Sequence, residues 1–177
     1  MSNKFEFSDI SYTVNCKKKG IKTILSEISG VCRAGEVMAI LGPSGAGKTS
    51  LLNVLTLNAL SGVSKGMCQL NGVNITDKIF REHCCIVPQE DHHRAFLTAR
   101  QTLMYVADFY IQGSDETKKK EVDTLITKLG LDVCADTLVG NQFFVGLSGG
   151  QKKRLSVAVA LLKKPSVMML DEPTSGL

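Results

Sequence analysis

The chain has 177 residues, of which 44% are hydrophobic and 21% are charged, and this composition is typical of a globular domain with its own core. It excludes a disordered chain, a collagen-like chain and a coiled-coil rod. The net charge is only +4 and the basic residues are dispersed, so we expect no nucleic acid partner. We interpret the short basic runs as solvated surface, and they lie at residues 17–19, 118–120 and 152–154.

No stretch of the sequence predicts export or a membrane span. The apolar runs fall short of the roughly 20 residues that cross a bilayer, and residues 1–6 lack the apolar segment of a secretory signal. The six cysteines and three histidines are not spaced as metal ligands, and only Cys84 and Cys85 are adjacent cysteines. We therefore expect reduced thiols in a soluble chain that faces the cell interior.

The first half of the chain predicts strands around one helix. Residues 5–14 partly alternate between apolar and polar side chains, which indicates a strand. Residues 37–41 are wholly apolar and predict a strand covered on both faces, as in a parallel sheet. Apolar side chains between residues 51 and 57 have the spacing of a buried helix, and residues 62–79 indicate a turn-rich strand region.

The second half is predicted to be mainly helical. Thr98 and Gln101 have the spacing of a capping box, which opens a helix. The predicted helices cover residues 98–110, 122–129 and 149–162. Further buried strands are predicted at residues 84–87 and 167–170. Strand, helix and strand in this order indicate an α/β fold with a parallel sheet.

The phosphate-loop pattern G-x-x-x-x-G-K-[ST] is complete between an apolar run and a helix. Its glycines allow backbone N–H groups to converge on phosphate oxygens, and the helix N-terminus adds a partial positive charge. Lys48 would reach the β- and γ-phosphates, and the Thr49 hydroxyl would bind Mg²⁺. A chance glycine-rich turn is the alternative, which the flanking elements disfavour. The predicted nucleotide-binding residues are Gly42, Pro43, Ser44, Gly45, Ala46, Gly47, Lys48, Thr49 and Ser50.

Two acidic residues follow the last predicted strand. Asp171 would hold the metal ion, directly or through water, and Glu172 would polarise the water that attacks the γ-phosphate. The alternative is a solvated acidic turn, which the phosphate loop earlier in the chain makes less plausible.

A second glycine pair opens the helix that follows Leu147 and creates a second anion site. A single nucleotide does not need two anion sites that lie far apart in the sequence. A head-to-tail pair of domains does need two, because Ser148 and its neighbouring backbone amides in one domain can bind the γ-phosphate held by the other domain. The alternative is an ordinary serine helix cap. The predicted contacts are Ser148, Gly149, Gly150 and Gln151.

Together these motifs resemble those of ABC-transporter nucleotide-binding domains, which carry them in the same order. They are the Walker A phosphate loop, Pro88-Gln89, the Leu-Ser-Gly-Gly-Gln signature at residues 147–151, and the Walker B end at residues 169–177. The resemblance covers nearly the whole chain, and the signature between Walker A and Walker B is highly specific to ABC ATPases.

Within this family the chain is similar to the G subfamily of white-type half transporters. Residues 97–105 resemble its Leu-Thr-Val-Arg-Glu-Thr-Leu segment, and residues 151–156 resemble its Glu-Arg-Lys-Arg-Val-Ser segment. Val145 departs from the arginine usual there. The resemblance implies one ATP-binding domain over residues 1–177 with an α/β fold: a P-loop NTPase (RecA-like) core with a parallel sheet, an N-terminal antiparallel β subdomain, and an inserted α-helical subdomain at about residues 91–160.

The resemblance also implies roles for single residues. Gln89 would be the Q-loop glutamine that contacts Mg²⁺ and the attacking water, with a polar residue in a turn as the alternative. Tyr12 would stack on adenine, with a core aromatic as the alternative. The implied catalytic residues are Glu172, Gln89 and Lys48. The implied metal ligands are Thr49, Gln89 and Asp171.

The activity implied by the resemblance is the binding and hydrolysis of MgATP to power transport, at the cytoplasmic face of a membrane. The implied cofactors are ATP and Mg²⁺, and the implied partners are a transporter's membrane domain and a second nucleotide-binding domain. Two alternatives stay open: a soluble ABC ATPase of translation or DNA repair, and a nucleotide-binding fragment without hydrolysis. The family's D-loop aspartate and switch histidine would follow Leu177, and without the strands after Walker B an apolar sheet edge would stay uncovered. We therefore expect the 177-residue chain alone to be marginally stable and to hydrolyse ATP poorly.

Overall fold

The computed structural model describes residues 3–16, 20–58 and 62–174, which divide into two compact units, Met1–Cys84 and Cys85–Leu177. The described part of the first unit comprises β1 (Lys4–Cys16), β2 (Gly20–Arg33), α1 (Lys48–Leu55), β3 (Gly62–Leu70), β4 (Val73–Asn74) and α2 (Asp77–His83). The second comprises β5 (Cys84–Val87), which begins at the boundary, α3 (Ala99–Tyr110), α4 (Asp115–Lys128), a 3₁₀ helix (Asp132–Cys134), α5 (Gly149–Leu162) and β6 (Val167–Leu170).

An antiparallel sheet with the strand order β2-β1-β3-β4 dominates the first unit and confirms the predicted N-terminal β structure. The partial alternation of β1 has a local cause. Phe5 and Phe7 are buried at odd positions, whereas Ile10 and Tyr12 are buried at even ones, and the pairing with β2 shifts register between Phe7 and Ile10. An irregularity of this kind inserts an extra residue and moves the buried face from odd to even positions.

The prediction of a buried strand at residues 37–41 is wrong. Residues 36–43 form neither helix nor strand, and Val37 and Leu41 are 97% and 90% exposed. A run of apolar residues favours burial, but a central strand also needs a hydrogen-bonded strand on each side. Residues 37–41 therefore belong to no sheet within the described residues.

Two short helices belong to the first unit. The predicted helix is confirmed as α1, which contacts β1 and β2 and buries Leu51, Leu52, Val54 and Leu55. The second helix, α2, occupies part of the region predicted as strand and turn, and Thr76 caps it by accepting a hydrogen bond from the Ile79 N–H at 3.3 Å. None of the α2 side chains is buried, so no apolar stripe marks this helix in the sequence.

The predicted helices of the second unit are confirmed. The α3 helix begins at the predicted capping box, in which the side chains of Thr98 and Gln101 each bind the other residue's backbone N–H. The three helices enclose one core, formed mainly by Ala99, Leu103, Ala107, Val122, Ile126, Leu131, Leu155, Ala158 and Leu162. No helix in the described ranges is long and apolar enough to cross a membrane.

The predicted strands at residues 84–87 and 167–170 are confirmed as β5 and β6, which pair with each other. The Asp171 N–H extends this pairing by donating to the Val87 carbonyl at 3.0 Å. The residues that follow the two strands are therefore brought together at one end of the pair.

Candidate nucleotide-binding site

The phosphate loop leads into α1 through two glycines with positive φ, Gly45 at 78° and Gly47 at 95°. Gly47 caps α1, and a Cβ atom there would lie 3.1 Å from the Leu25 side chain, so both conformation and space favour glycine. Residues 42–46 are exposed, and the first turn of α1 carries no acidic side chain. An anion can therefore approach this helix start without like-charge repulsion.

Lys48 folds back over its own loop. Its ammonium group donates to the Gly42 carbonyl at 2.9 Å and to the Pro43 carbonyl at 3.1 Å, while the Ala46 N–H donates to Pro43 at 3.2 Å. These contacts place a positive charge beside the glycines that precede α1. The Lys48 ammonium has exposed partners that water can replace, so it can exchange a carbonyl for a phosphate oxygen at little cost.

Gln89 and Glu172 meet beyond the paired strands β5 and β6. The Gln89 Nε2 atom donates a hydrogen bond to the Glu172 carboxylate at 2.9 Å, and both residues are exposed. Asp171 precedes Glu172 and is buried. Glu172 has a φ of 45°, which non-glycine residues rarely adopt and which persists only where surrounding contacts enforce it. The structure thus brings three of the predicted site residues into one cluster.

The signature residues form the N-terminal end of α5. The Ser148 hydroxyl accepts from the Gln151 N–H at 3.3 Å, and the Gln151 side-chain oxygen accepts from the Ser148 N–H at 2.8 Å, which completes a capping box. Leu147 is buried and anchors the segment, while Ser148 and Gly149 are exposed. Ser148 is therefore a helix cap, as in the simpler interpretation, and it is also accessible from outside the chain.

Some predicted roles stay predictions. Tyr12 is buried in β1, where it pairs with Leu25 and Ser64, and its stacking on adenine stays a prediction. The phosphate loop belongs to the first unit, whereas the carboxylates and Gln89 belong to the second, so a metal site that includes Thr49 also stays a prediction. Residues 175–177 of the Walker B ending lie outside the described residues.

Sequence reasoning missed Lys153. The basic run at residues 152–154 indicates solvated surface, and this prediction is wrong for Lys153. Its side chain is only 6% exposed, and its ammonium group donates to the Gln89 carbonyl at 2.7 Å. The helical spacing does indicate this burial. Lys153 precedes Val157 by four residues and Ala160 by seven, so it lies on the same face of α5 as these two residues. Those two residues pack in the small core around β5.

The family model described as ABC transporter matches residues 25–175, which is most of the chain. The chain belongs to the ABC transporter family. It is a nucleotide-binding domain of this family and is related to its G-family members. ATP binding follows from this membership.

Relatives from several organisms support this relationship. The chain is 38% identical to ABC transporter G family member 17 of Arabidopsis thaliana over 97% of the chain, and 41% identical to ABC transporter G family member 1 of Dictyostelium discoideum over 98%. It is 39% identical to an uncharacterized ABC transporter ATP-binding protein/permease of Saccharomyces cerevisiae over 88% of the chain. The chain spans only 28%, 23% and 13% of the length of these curated relatives, respectively.

Because His93, four residues after Gln89, is partly buried, we expect the free energy of unfolding to depend on pH. Burial lowers the pKa of His93 below its usual value of 6.5, and the Lys152 carbonyl and Asp91 only partly oppose this effect. Below pH 6.5 the unfolded chain binds a proton that the folded chain does not take up until a lower pH, so the free energy of unfolding decreases as the pH falls below 6.5. We expect His93→Gln to reduce this loss, measured by urea unfolding at pH 7.5 and pH 5.5.

The neighbouring His92 provides a matched control, because its side chain is 78% exposed. His92→Gln should leave the free energy of unfolding at pH 7.5 within about 0.5 kcal/mol of the wild type, which controls for the substitution itself at an exposed position. An equal loss of stability on acidification in His93→Gln and the wild type would refute the assignment.

Proposed function

We propose that this nucleotide-binding domain binds MgATP, hydrolyses it in a head-to-tail pair with a second such domain, and drives transport through a membrane domain. The reaction is the transfer of the γ-phosphoryl group to water, which proteins catalyse mainly by positioning and charge neutralisation. In this proposal ATP closes the pair and hydrolysis reopens it.

The observation that carries this proposal is the hydrogen bond between Gln89 and Glu172. It uses the amide nitrogen of Gln89, so the amide oxygen is the atom that can bind a cation. It also holds one oxygen of the Glu172 carboxylate, which leaves the other oxygen to orient a water molecule and accept its proton. In this proposal the Gln89 amide oxygen would bind the cation and the Glu172 carboxylate would bind the attacking water, and both functions serve the hydrolysis of a nucleoside triphosphate.

The residues fit MgATP chemically. Lys48 and the N-terminus of α1 supply positive charge for the phosphates. The side chains of Gln89, Asp171 and Thr49 carry oxygen atoms of the kind that Mg²⁺ prefers, and in this proposal they would be its ligands. When bound, Mg²⁺ would neutralise part of the phosphate charge. The chain's own contribution is to hold the phosphates at the loop and the water at Glu172.

The proposed partners follow from the signature and from the relatives. Ser148 is exposed at the N-terminus of α5, where it can meet the nucleotide of a second domain. The name of the Saccharomyces cerevisiae relative couples an ATP-binding protein to a permease, and by analogy we place this domain at the cytoplasmic face of a membrane. A soluble ABC ATPase is the second candidate, and a second cassette in place of hydrophobic spans in the complete coding sequence would favour it.

Ser148→Ala tests whether the signature serine acts on a nucleotide. In the protein made from its complete coding sequence, we expect ATP turnover to fall roughly tenfold to a hundredfold, because a hydrogen bond to a charged group contributes about 1.5–3 kcal/mol. ATP binding by the same protein should remain, because the hydroxyl contacts the partner's nucleotide. Phosphate release and equilibrium ATP titration measure the two quantities.

Ser114→Ala is the matched control for this experiment. Ser114 is also an exposed serine cap, and its hydroxyl accepts from the Thr117 N–H at 3.3 Å at the start of α4. Both variants lose a cap worth about 0.5–2 kcal/mol, so a stability effect alone would lower turnover equally in the two. Equal turnover in both variants would remove Ser148 from the proposed nucleotide site.

A further inference from the structure

A buried lysine joins the signature helix α5 to the segment that carries Gln89. The Lys153 ammonium donates to the Pro88 carbonyl at 3.0 Å and to the Gln89 carbonyl at 2.7 Å, and it lies 3.2 Å from the Asp91 carboxylate. An ammonium group has three N–H bonds, and these three acceptors use all of them. The side chain has no conformational freedom left that would not break one of these contacts.

A second set of contacts reinforces the same connection. Ser156 lies three residues beyond Lys153 on α5, and its hydroxyl donates to Asp91 at 2.6 Å. His93 Nε2 lies 2.8 Å from the Ser156 hydroxyl and 3.3 Å from the Lys152 carbonyl, so this nitrogen carries the proton and donates to both. Lys153 is thus one member of a continuous network between α5 and the residues that follow β5.

The two ends of this connection have different tasks in the proposed function. Ser148 caps α5 five residues before Lys153, a distance of about 7.5 Å along a helix axis. At the other end the Gln89 side chain holds the Glu172 carboxylate. Lys153 therefore connects two parts of the proposed machinery. On one side is Ser148, which would contact the partner's nucleotide, and on the other are Gln89 and Glu172, which would act on the nucleotide of their own chain.

We propose that Lys153 is a positioning residue that fixes the Gln89 backbone to the signature helix and so couples the two nucleotide sites of the pair. This inference rests on the proposed function and extends it to a residue that contacts neither nucleotide. When Ser148 engages the partner's nucleotide, the position of α5 sets the position of Gln89 and thereby of Glu172. Loss of the ammonium group should spare ATP binding and impair turnover, because a small displacement of a catalytic group is costly.

The test compares Lys153→Met with Lys152→Met in the protein made from its complete coding sequence. Methionine has a similar length and suits a buried position. The Lys152 ammonium donates to the Gly140 carbonyl at 3.3 Å, outside the Gln89 segment. For Lys153→Met we expect ATP affinity within about twofold of the wild type and a kcat lower by on the order of tenfold to a hundredfold. Lys152→Met should match the wild type in both.

Wild-type turnover by folded Lys153→Met would overturn the proposal. The proposal would also be overturned if the ATP affinity and the kcat of Lys153→Met fell together, in proportion to the unfolded fraction that circular dichroism measures. Should Lys153→Met fail to fold, Lys153→Arg decides, because it keeps the charge but presents a planar group to the same acceptors. A lower kcat of Lys153→Arg at unchanged ATP affinity would support the role of Lys153 in positioning Gln89. A wild-type kcat of Lys153→Arg would mean that Lys153 serves folding alone. Full turnover by Glu172→Gln would instead refute the proposed function itself.

Discussion

Replacement of Glu172 by glutamine is expected to lower ATP turnover by on the order of a hundredfold to ten-thousandfold while leaving ATP binding intact. Glutamine has the shape of glutamate and offers Gln89 a carbonyl oxygen in place of the carboxylate, so the 2.9 Å contact can persist. The variant loses the negative charge that orients water and accepts its proton. Phosphate release and ATP titration on the complete protein measure the two effects.

The same variant should accumulate a closed pair of domains. In the wild type hydrolysis reopens the pair, so a variant that binds MgATP without hydrolysing it should shift to the dimer in sedimentation or size-exclusion experiments. Glu90→Gln is the matched control, because Glu90 follows Gln89 directly and its side chain is 84% exposed. Wild-type turnover by Glu172→Gln, or an equal loss in Glu90→Gln, would contradict the role assigned to Glu172.

The second large effect concerns nucleotide affinity. We expect Lys48→Ala to weaken ATP binding roughly tenfold to a hundredfold, because it removes a charged hydrogen-bond donor worth about 1.5–3 kcal/mol from the phosphate loop. Folding should change little, since the Gly42 and Pro43 carbonyls that lose their donor belong to exposed residues and can bind water. Equilibrium titration with ATP, together with thermal unfolding, measures both quantities.

Lys22→Ala on β2 controls for a general loss of positive charge, because Lys22 is exposed and lies outside the phosphate loop. Its ATP affinity should equal that of the wild type. Equal affinity in Lys48→Ala and the wild type would place the triphosphate elsewhere on the domain.

Local chemistry explains why much of this domain is predictable. The start of α3 follows from Thr98 and Gln101, because a capping box closes within four residues and depends on nothing distant. The phosphate loop is equally local, since Gly45 and Gly47 supply the positive φ angles and Lys48 bonds to carbonyls of its own loop. The sequence by itself therefore determined these elements, the order of the motifs and the family to which they point.

The tertiary structure decided which side chains are buried and which distant ones meet. Val37 and Leu41 remain exposed, since residues 37–41 pair with no strand within the described residues. The charged Lys153 is buried because Pro88, Gln89 and Asp91 supply its acceptors. The contact between Gln89 and Glu172 likewise depends on the pairing of β5 with β6. Burial and charge pairing depend on partners more than sixty residues away, and spacing along the chain does not encode those partners.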